Sequence, residues 1–147
     1  MKKIILVCSL CMAVMGLVSC GDLIETSDNG RLDGLWHLTR IDTLETGRGV
    51  DMAEDRKYLA VQGSILEVHD ADEGERYIFR FSHADGKLAL SDARRNDRRH
   101  GDPEVADVAV LTPYGINRLS ETFKVENLTG SRLVLVSSTL RLIYRKF

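Results

Sequence analysis

The densest concentration of functional side chains is Arg94-Arg95-Asn96-Asp97-Arg98-Arg99-His100, which puts four of the fourteen arginines in six positions. Guanidinium groups present rigid forks of N–H donors that match carboxylate, phosphate or sulfate oxygens, so the cluster could clamp an anionic group. Asp92, Asp97, Asp102 and Glu104 are interleaved with it, and a self-neutralising surface loop is the plainer reading. The four histidines, His37, His69, His83 and His100, stand at no spacing typical of zinc ligands. His69-Asp70-Ala71-Asp72-Glu73 supplies carboxylates but lacks the Asp-x-Asp-x-Asp-Gly loop of a calcium hand. Gly63-Ser64 does not sit in a Gly-x-Ser-x-Gly elbow, and no phosphate-cradling glycine loop is present. The reading is therefore of a protein that is not an enzyme, with no metal and no cofactor.

Thiol chemistry is confined to the first twenty residues, as Cys8, Cys11 and Cys20. Lys2 and Lys3 precede fifteen uncharged residues, 4–18. That run is short of the roughly 20 apolar residues of a membrane helix, and it has the basic start and apolar middle of a secretory signal. It ends in Leu17-Val18-Ser19-Cys20-Gly21, which resembles the lipobox of bacterial lipoproteins. The resemblance implies a diacylglycerol on the Cys20 sulfur and cleavage just before it. Residues 1–19 are then a signal peptide, residues 20–30 a polar tether, and 31–147 the folded domain. Cys8 and Cys11 leave with the signal, so no thiol remains for a disulfide or a nucleophile. The expected mature chain has 128 residues, with 18 Lys+Arg against 22 Asp+Glu and a net charge of −4. Two or more acyl chains anchor stably, which places the protein in the cell envelope, on the outer membrane by preference. An acidic chain outside the cytoplasm is no nucleic-acid binder.

The elements that must position these residues are strands. Apolar residues alternate rather than recur at helical spacing: Tyr77, Phe79 and Phe81 share one face, with Arg76, Arg80 and Ser82 on the other. The same period predicts strands over 34–43, 87–91, 122–128, 132–137 and 139–146, with a weaker one over 105–111. Residues 58–70 read as one long strand with a bulge or bend at Gly63, so the total is eight, or nine if Gly63 divides it. Asp72-Glu73-Gly74, Asp85-Gly86 and Thr129-Gly130-Ser131 are hairpin turns. Two connections are longer, 45–57, where Asp51 could cap a helical turn, and 92–104. A helical turn is also predicted around Pro113-Tyr114-Gly115. Sequential antiparallel hairpins close most simply into an up-and-down barrel without exposed edges.

Gly34-Leu35-Trp36 in the first strand resembles the G-x-W signature of lipocalins. With Tyr77-Ile78-Phe79-Arg80-Phe81, Leu133-Val134-Leu135 and the closing Leu140-Arg141-Leu142-Ile143-Tyr144-Arg145-Lys146-Phe147, the chain resembles the lipocalin-like lipoproteins of Bacteroidota. The resemblance implies an all-β, eight-stranded envelope barrel, in which Arg141 or Arg145 could stack on Trp36. It also makes Asp42-Thr43-Leu44 similar to the sequon at which such bacteria O-glycosylate exported proteins, with Thr43 as acceptor.

An eight-stranded barrel is just wide enough to be filled or to hold one small ligand. Trp36, Tyr77, Phe79, Phe81, Phe123 and Tyr144 all point inward in the alternation and could line an apolar pocket. Arg94, Arg95, Arg98 and Arg99 could stand at its mouth. The leading expectation is a small apolar or amphipathic ligand in or at the mouth of the barrel. The rival is a filled barrel whose loops contact a partner protein or a surface glycan.

Overall fold

The computed structural model describes residues 29–147. The expected signal peptide, Cys20 and most of the expected tether lie outside the described residues. A short 3₁₀ turn, η1 (Gly30–Leu32), leads into nine strands: β1 (Gly34–Thr43), β2 (Gly49–Asp51), β3 (Lys57–Gln62), β4 (Ile65–Asp70), β5 (Arg76–Ala84), β6 (Lys87–Arg95), β7 (Glu121–Leu128), β8 (Arg132–Val136) and β9 (Leu140–Lys146). From β3 to β9 each strand pairs with the next, β1 pairs with β3, and β9 returns to β1. The result is a closed eight-stranded antiparallel barrel, with β2 as an extra strand on the outer half of β1. Among the described residues no helix is long and apolar enough to cross a membrane.

The predicted strand count is reached by a different route. Gly63 is not a bulge: with φ +59 it opens a two-residue turn that pairs Gln62 with Ile65, making two strands of 58–70. Residues 105–111 are not a strand. One bridge joins Glu104 to Arg94, and then the Asp107 carboxylate accepts the Ala109 amide 2.9 Å away and starts the 3₁₀ turn η3 (Val108–Val110). A local side-chain acceptor here outcompetes the ladder. The expected turn at Pro113 forms as η4 (Thr112–Tyr114). Asp51 caps no helix. It lies in β2, and its carboxylate accepts the Ala53 amide in a tight turn.

Three bulges set which side chains face inward. In β1, β6 and β7 the register slips once, so that Ile41, Ala93 and Leu128 pack toward the core where strict alternation would have put Arg40, Asp92 or Asn127. The interior is filled. Trp36, Leu66, Leu88, Leu133 and Leu142 are fully buried, and Phe79, Phe123 and Tyr144 nearly so.

The two ends differ. The closed end carries the β3–β4, β5–β6 and β7–β8 turns, with η1 folded beneath it. There the Trp36 indole donates to the Leu32 carbonyl at 2.8 Å. The cation over the Trp36 ring is Lys146, at 4.3 Å from its centre, and not Arg141 or Arg145. Its ammonium also donates to the Asp33 and Arg31 carbonyls, tying the last strand to the first turn. Arg141 instead grips Glu126 with two hydrogen bonds on the outer wall.

At the open end the β6–β7 connection folds over the barrel and buries Leu111, Tyr114 and Ile116 in its mouth. Gly115 permits this approach. Its φ is +77, and an added Cβ would meet Leu142 Cδ2 at 2.3 Å. Gly115→Ala is expected to cost about 2 kcal/mol by overpacking and backbone strain, read from urea denaturation. An unchanged midpoint would show that the plug does not need this fit.

Candidate functional site

The inward rows of β3, β4, β5 and β6 become polar as they reach the open end. Lys57 continues the row of Leu59 and Val61, and Asp70 that of Leu66 and Val68. These two are cross-strand partners and form an ion pair of 2.5 Å, with both side chains largely buried. The other Asp70 oxygen accepts the amides of Asp72 and Glu73 at 2.9 and 3.1 Å. Burial pushes the Asp70 carboxyl up, but the Lys57 ammonium and those two amides outweigh it and hold the group below its ordinary 3.8.

Tyr77 and Arg95 face each other across β5 and β6. Both reach Glu75: its carboxylate accepts from the Tyr77 hydroxyl and from the Arg95 guanidinium, each at 3.1 Å. Tyr114 arrives from the plug, edge-on to Tyr77 with ring centres 6.1 Å apart. Burial, with the Glu75 carboxylate second, raises the Tyr77 hydroxyl, and burial raises that of Tyr114. Both remain neutral donors at physiological pH.

Together these side chains border an open cleft of about 570 Å³, lined by Lys57, Asp70, Glu73, Glu75, Tyr77, Arg95, Val110, Pro113 and Tyr114. A second cleft of about 260 Å³ lies on the other side of Tyr77, Arg95 and Val110, against Pro103–Asp107. One wall is apolar, and the floor offers paired donors and acceptors.

The structure divides the expected site residues. Tyr77 and Arg95 line the mouth cleft. Phe79 borders a separate outer groove of about 200 Å³ with Ile65 and Ile78. Trp36, Phe123 and Tyr144 are core and, like the half-buried Phe81, line none of the three clefts. The arginine cluster is not a single loop, because β6 continues to Arg95. Arg94 points outward to Asp92 and Glu104, while Arg98 and Arg99 lie exposed in the 3₁₀ turn η2 (Arg98–His100). Thr43 is the last residue of β1, half-buried and opposite Leu140.

Of the histidines, His37 donates through Nε2 to the Asp55 carbonyl, 2.7 Å away, and stacks through Tyr58 toward His69. His100 pairs with Asp97. Among the described residues no three metal-ligating side chains converge. Sequence reasoning missed Lys57, Asp70, Glu75, Val110 and Tyr114. A polar residue at the mouth end of an otherwise apolar inward row, as at Lys57 and Asp70, is the signal that was available.

Residues 14–147 match the family model described as a lipocalin-like domain. The chain belongs to that family. No curated protein matches it. Among solved structures, this lipocalin-like domain is similar to a lipocalin-like protein from Bacteroides uniformis, with a TM-score of 0.62 and 23% identity over 80% of this chain and all of that one. It is also similar to an uncharacterized protein from Bacteroides eggerthii, with a TM-score of 0.54 and 15% identity over 79% of this chain and 99% of the other. A protein from Burkholderia xenovorans gives a TM-score of 0.53 and 15% identity, covering 78% and 82%. At these identities the likeness concerns the fold. G-x-W belongs to that fold because Trp36 seals the closed end, and the lipocalin-like domain uses Lys146 for the stacking cation.

Proposed function

We propose that this lipocalin-like protein is a non-enzymatic, lipid-anchored envelope protein that holds a small amphipathic ligand at the open mouth of its barrel. The mouth cleft carries the reading. Its volume of about 570 Å³ falls within the range of roughly 300–1,000 Å³ typical of ligand pockets, whereas the barrel interior is occupied by side chains. Val110, Pro113 and Tyr114 offer an apolar wall, and the Arg95–Glu75 pair offers a donor and an acceptor beside it. Two of the three carboxylates that line it are committed: Asp70 to Lys57 and two amides, Glu75 to Arg95 and Tyr77. That commitment suits binding better than proton transfer. The signal-like start and the Leu17-Val18-Ser19-Cys20 motif support acylation of Cys20 and, with it, an envelope setting.

The test is titration with anilinonaphthalene sulfonate, an anionic amphipath that fluoresces in apolar sites. Val110→Trp, a surface change that fills the cleft, and Arg95→Ala are each expected to weaken its binding about tenfold, with the unfolding midpoint of Val110→Trp unchanged. Equal binding by wild type and both variants would overturn the mouth site. A second reading rests on a different observation. Leu44, Val50, Val110 and Leu119 are exposed around the same open end, a pattern that suits a partner protein or glycan held by the loops. Native mass spectrometry of protein taken from its own envelope separates the two, through a retained small mass or a co-purifying subunit.

A further inference from the structure

The barrel is electrically polarised along its axis. At the open end, residues 44–57, 70–75 and 96–120 carry twelve carboxylates against six Lys and Arg. The closed end has the opposite character. Arg31, Lys87, Arg132, Arg145 and Lys146 stand there against Asp33 and Asp85.

The placement of these cations is unfavourable for the isolated domain. Arg132 and Arg145 are directly opposed across β8 and β9, and both alternate outward. Lys87 and Lys124 are directly opposed across β6 and β7, again on the outer face. All four are exposed, and among the described residues none makes an ion pair. Glu126 feels the Lys124 charge, but its hydrogen bonds go to Arg141. Like charges opposed across strands destabilise a sheet unless something outside the chain compensates. Ile65 and Phe147, 48% and 77% exposed, are presented at this same end.

We infer that the closed end is a docking face for the anionic headgroups of the membrane that holds the protein, so that the open mouth points away from the bilayer. This rests on the proposed acyl anchor at Cys20. Asn29 leaves the barrel at the closed end, and the nine steps from Cys20 span at most about 30 Å, which keeps this end near the bilayer without orienting it. The polarity supplies the orientation. Cations close to an anionic surface are attracted to it, while the acidic end is repelled. The opposed pairs then share headgroup phosphates as their counter-ions, and Ile65 and Phe147 meet the interface.

The acylated chain reconstituted in vesicles tests this. Because Cys20 is acylated and no other cysteine follows it, single thiols can be labelled: Gly130→Cys, where an added Cβ meets open space in the β7–β8 turn, and Glu54→Cys at the open end. In phosphatidylcholine vesicles with about 30% phosphatidylglycerol, a quencher on the lipid headgroup is expected to dim the Gly130 label about threefold more than the Glu54 label. The difference should collapse at about 0.5 M salt, where the screening length is roughly 4 Å. It should also collapse in Lys87→Glu/Arg132→Glu, which turns each like-charged pair into an opposite one and so keeps or raises the unfolding midpoint. Co-flotation with both anionic and neutral vesicles, but equal quenching of the two labels, would leave the anchor standing and overturn the docking face. Flotation with neither overturns the anchor and the face together. Protection of the Gly130 label by dextran sulfate but not by anionic vesicles would assign the cations to a glycan, and also overturns it.

Discussion

Trp36→Ala is expected to lower the unfolding free energy by about 4 kcal/mol, the largest loss from any single side chain in this barrel. Trp36 is fully buried beneath the closed end, where its indole N–H satisfies the Leu32 carbonyl and its ring receives the Lys146 ammonium. Truncation removes the ring, leaves a cavity, and frees the tie between the last strand and the first turn. Phe81→Ala, at a half-buried site, should cost about half as much, because its cavity opens to water. Urea denaturation of both variants at neutral pH gives the comparison. A loss at Trp36 no larger than at Phe81 would mean that the closed end does not bear the stability assigned to it.

Asp70→Asn is expected to cost about 3 kcal/mol at neutral pH, since it leaves the Lys57 ammonium at the barrel mouth without its counter-charge. Asparagine keeps an oxygen for the Asp72 and Glu73 amides, so the loss reports the ion pair rather than the turn. The pH dependence follows from the direction of the shift. The folded Asp70 carboxyl titrates below its ordinary 3.8, so its stabilisation is complete above that value and disappears as pH falls through the folded value. Wild type should lose stability steeply below about pH 4, while the variant follows a flatter curve and the two converge in strong acid. Parallel curves down to about pH 2 would show that the pair does not control acid unfolding.

The class of fold was legible because one face of nearly every strand is apolar. Tyr77, Phe79 and Phe81, or Leu133 and Leu135, declare both the period and the inward side. Short-range turn chemistry was legible too, at Asp85-Gly86 and Thr129-Gly130-Ser131. The short strand β2 has three exposed residues and no apolar period, so it becomes visible only when β1 is there to pair with it. Residues 105–111 carry the alternation of a strand, but their pairing with β6 stops at the Arg94–Glu104 bridge, and Asp107 draws them into a helical turn.

The mouth could not be read in the same way, because it depends on phase. Leu88 and Leu90 projected forward put Asp92 and Arg94 inside the barrel. The bulge at Asp92, with φ +52, shifts the alternation by one, so Ala93 enters the core and Arg95 turns toward Glu75 and Tyr77. What the sequence by itself determined was an all-β barrel with its G-x-W strand, since hydrophobic period and turn residues act over a few neighbours. Only the tertiary structure decided that the inward aromatics are core, that Lys146 covers Trp36, and that Lys57, Asp70, Glu75, Arg95 and Tyr114 meet at one end. Those contacts join residues far apart in the chain, and they exist only once bulges and closure have set which side of each strand faces in.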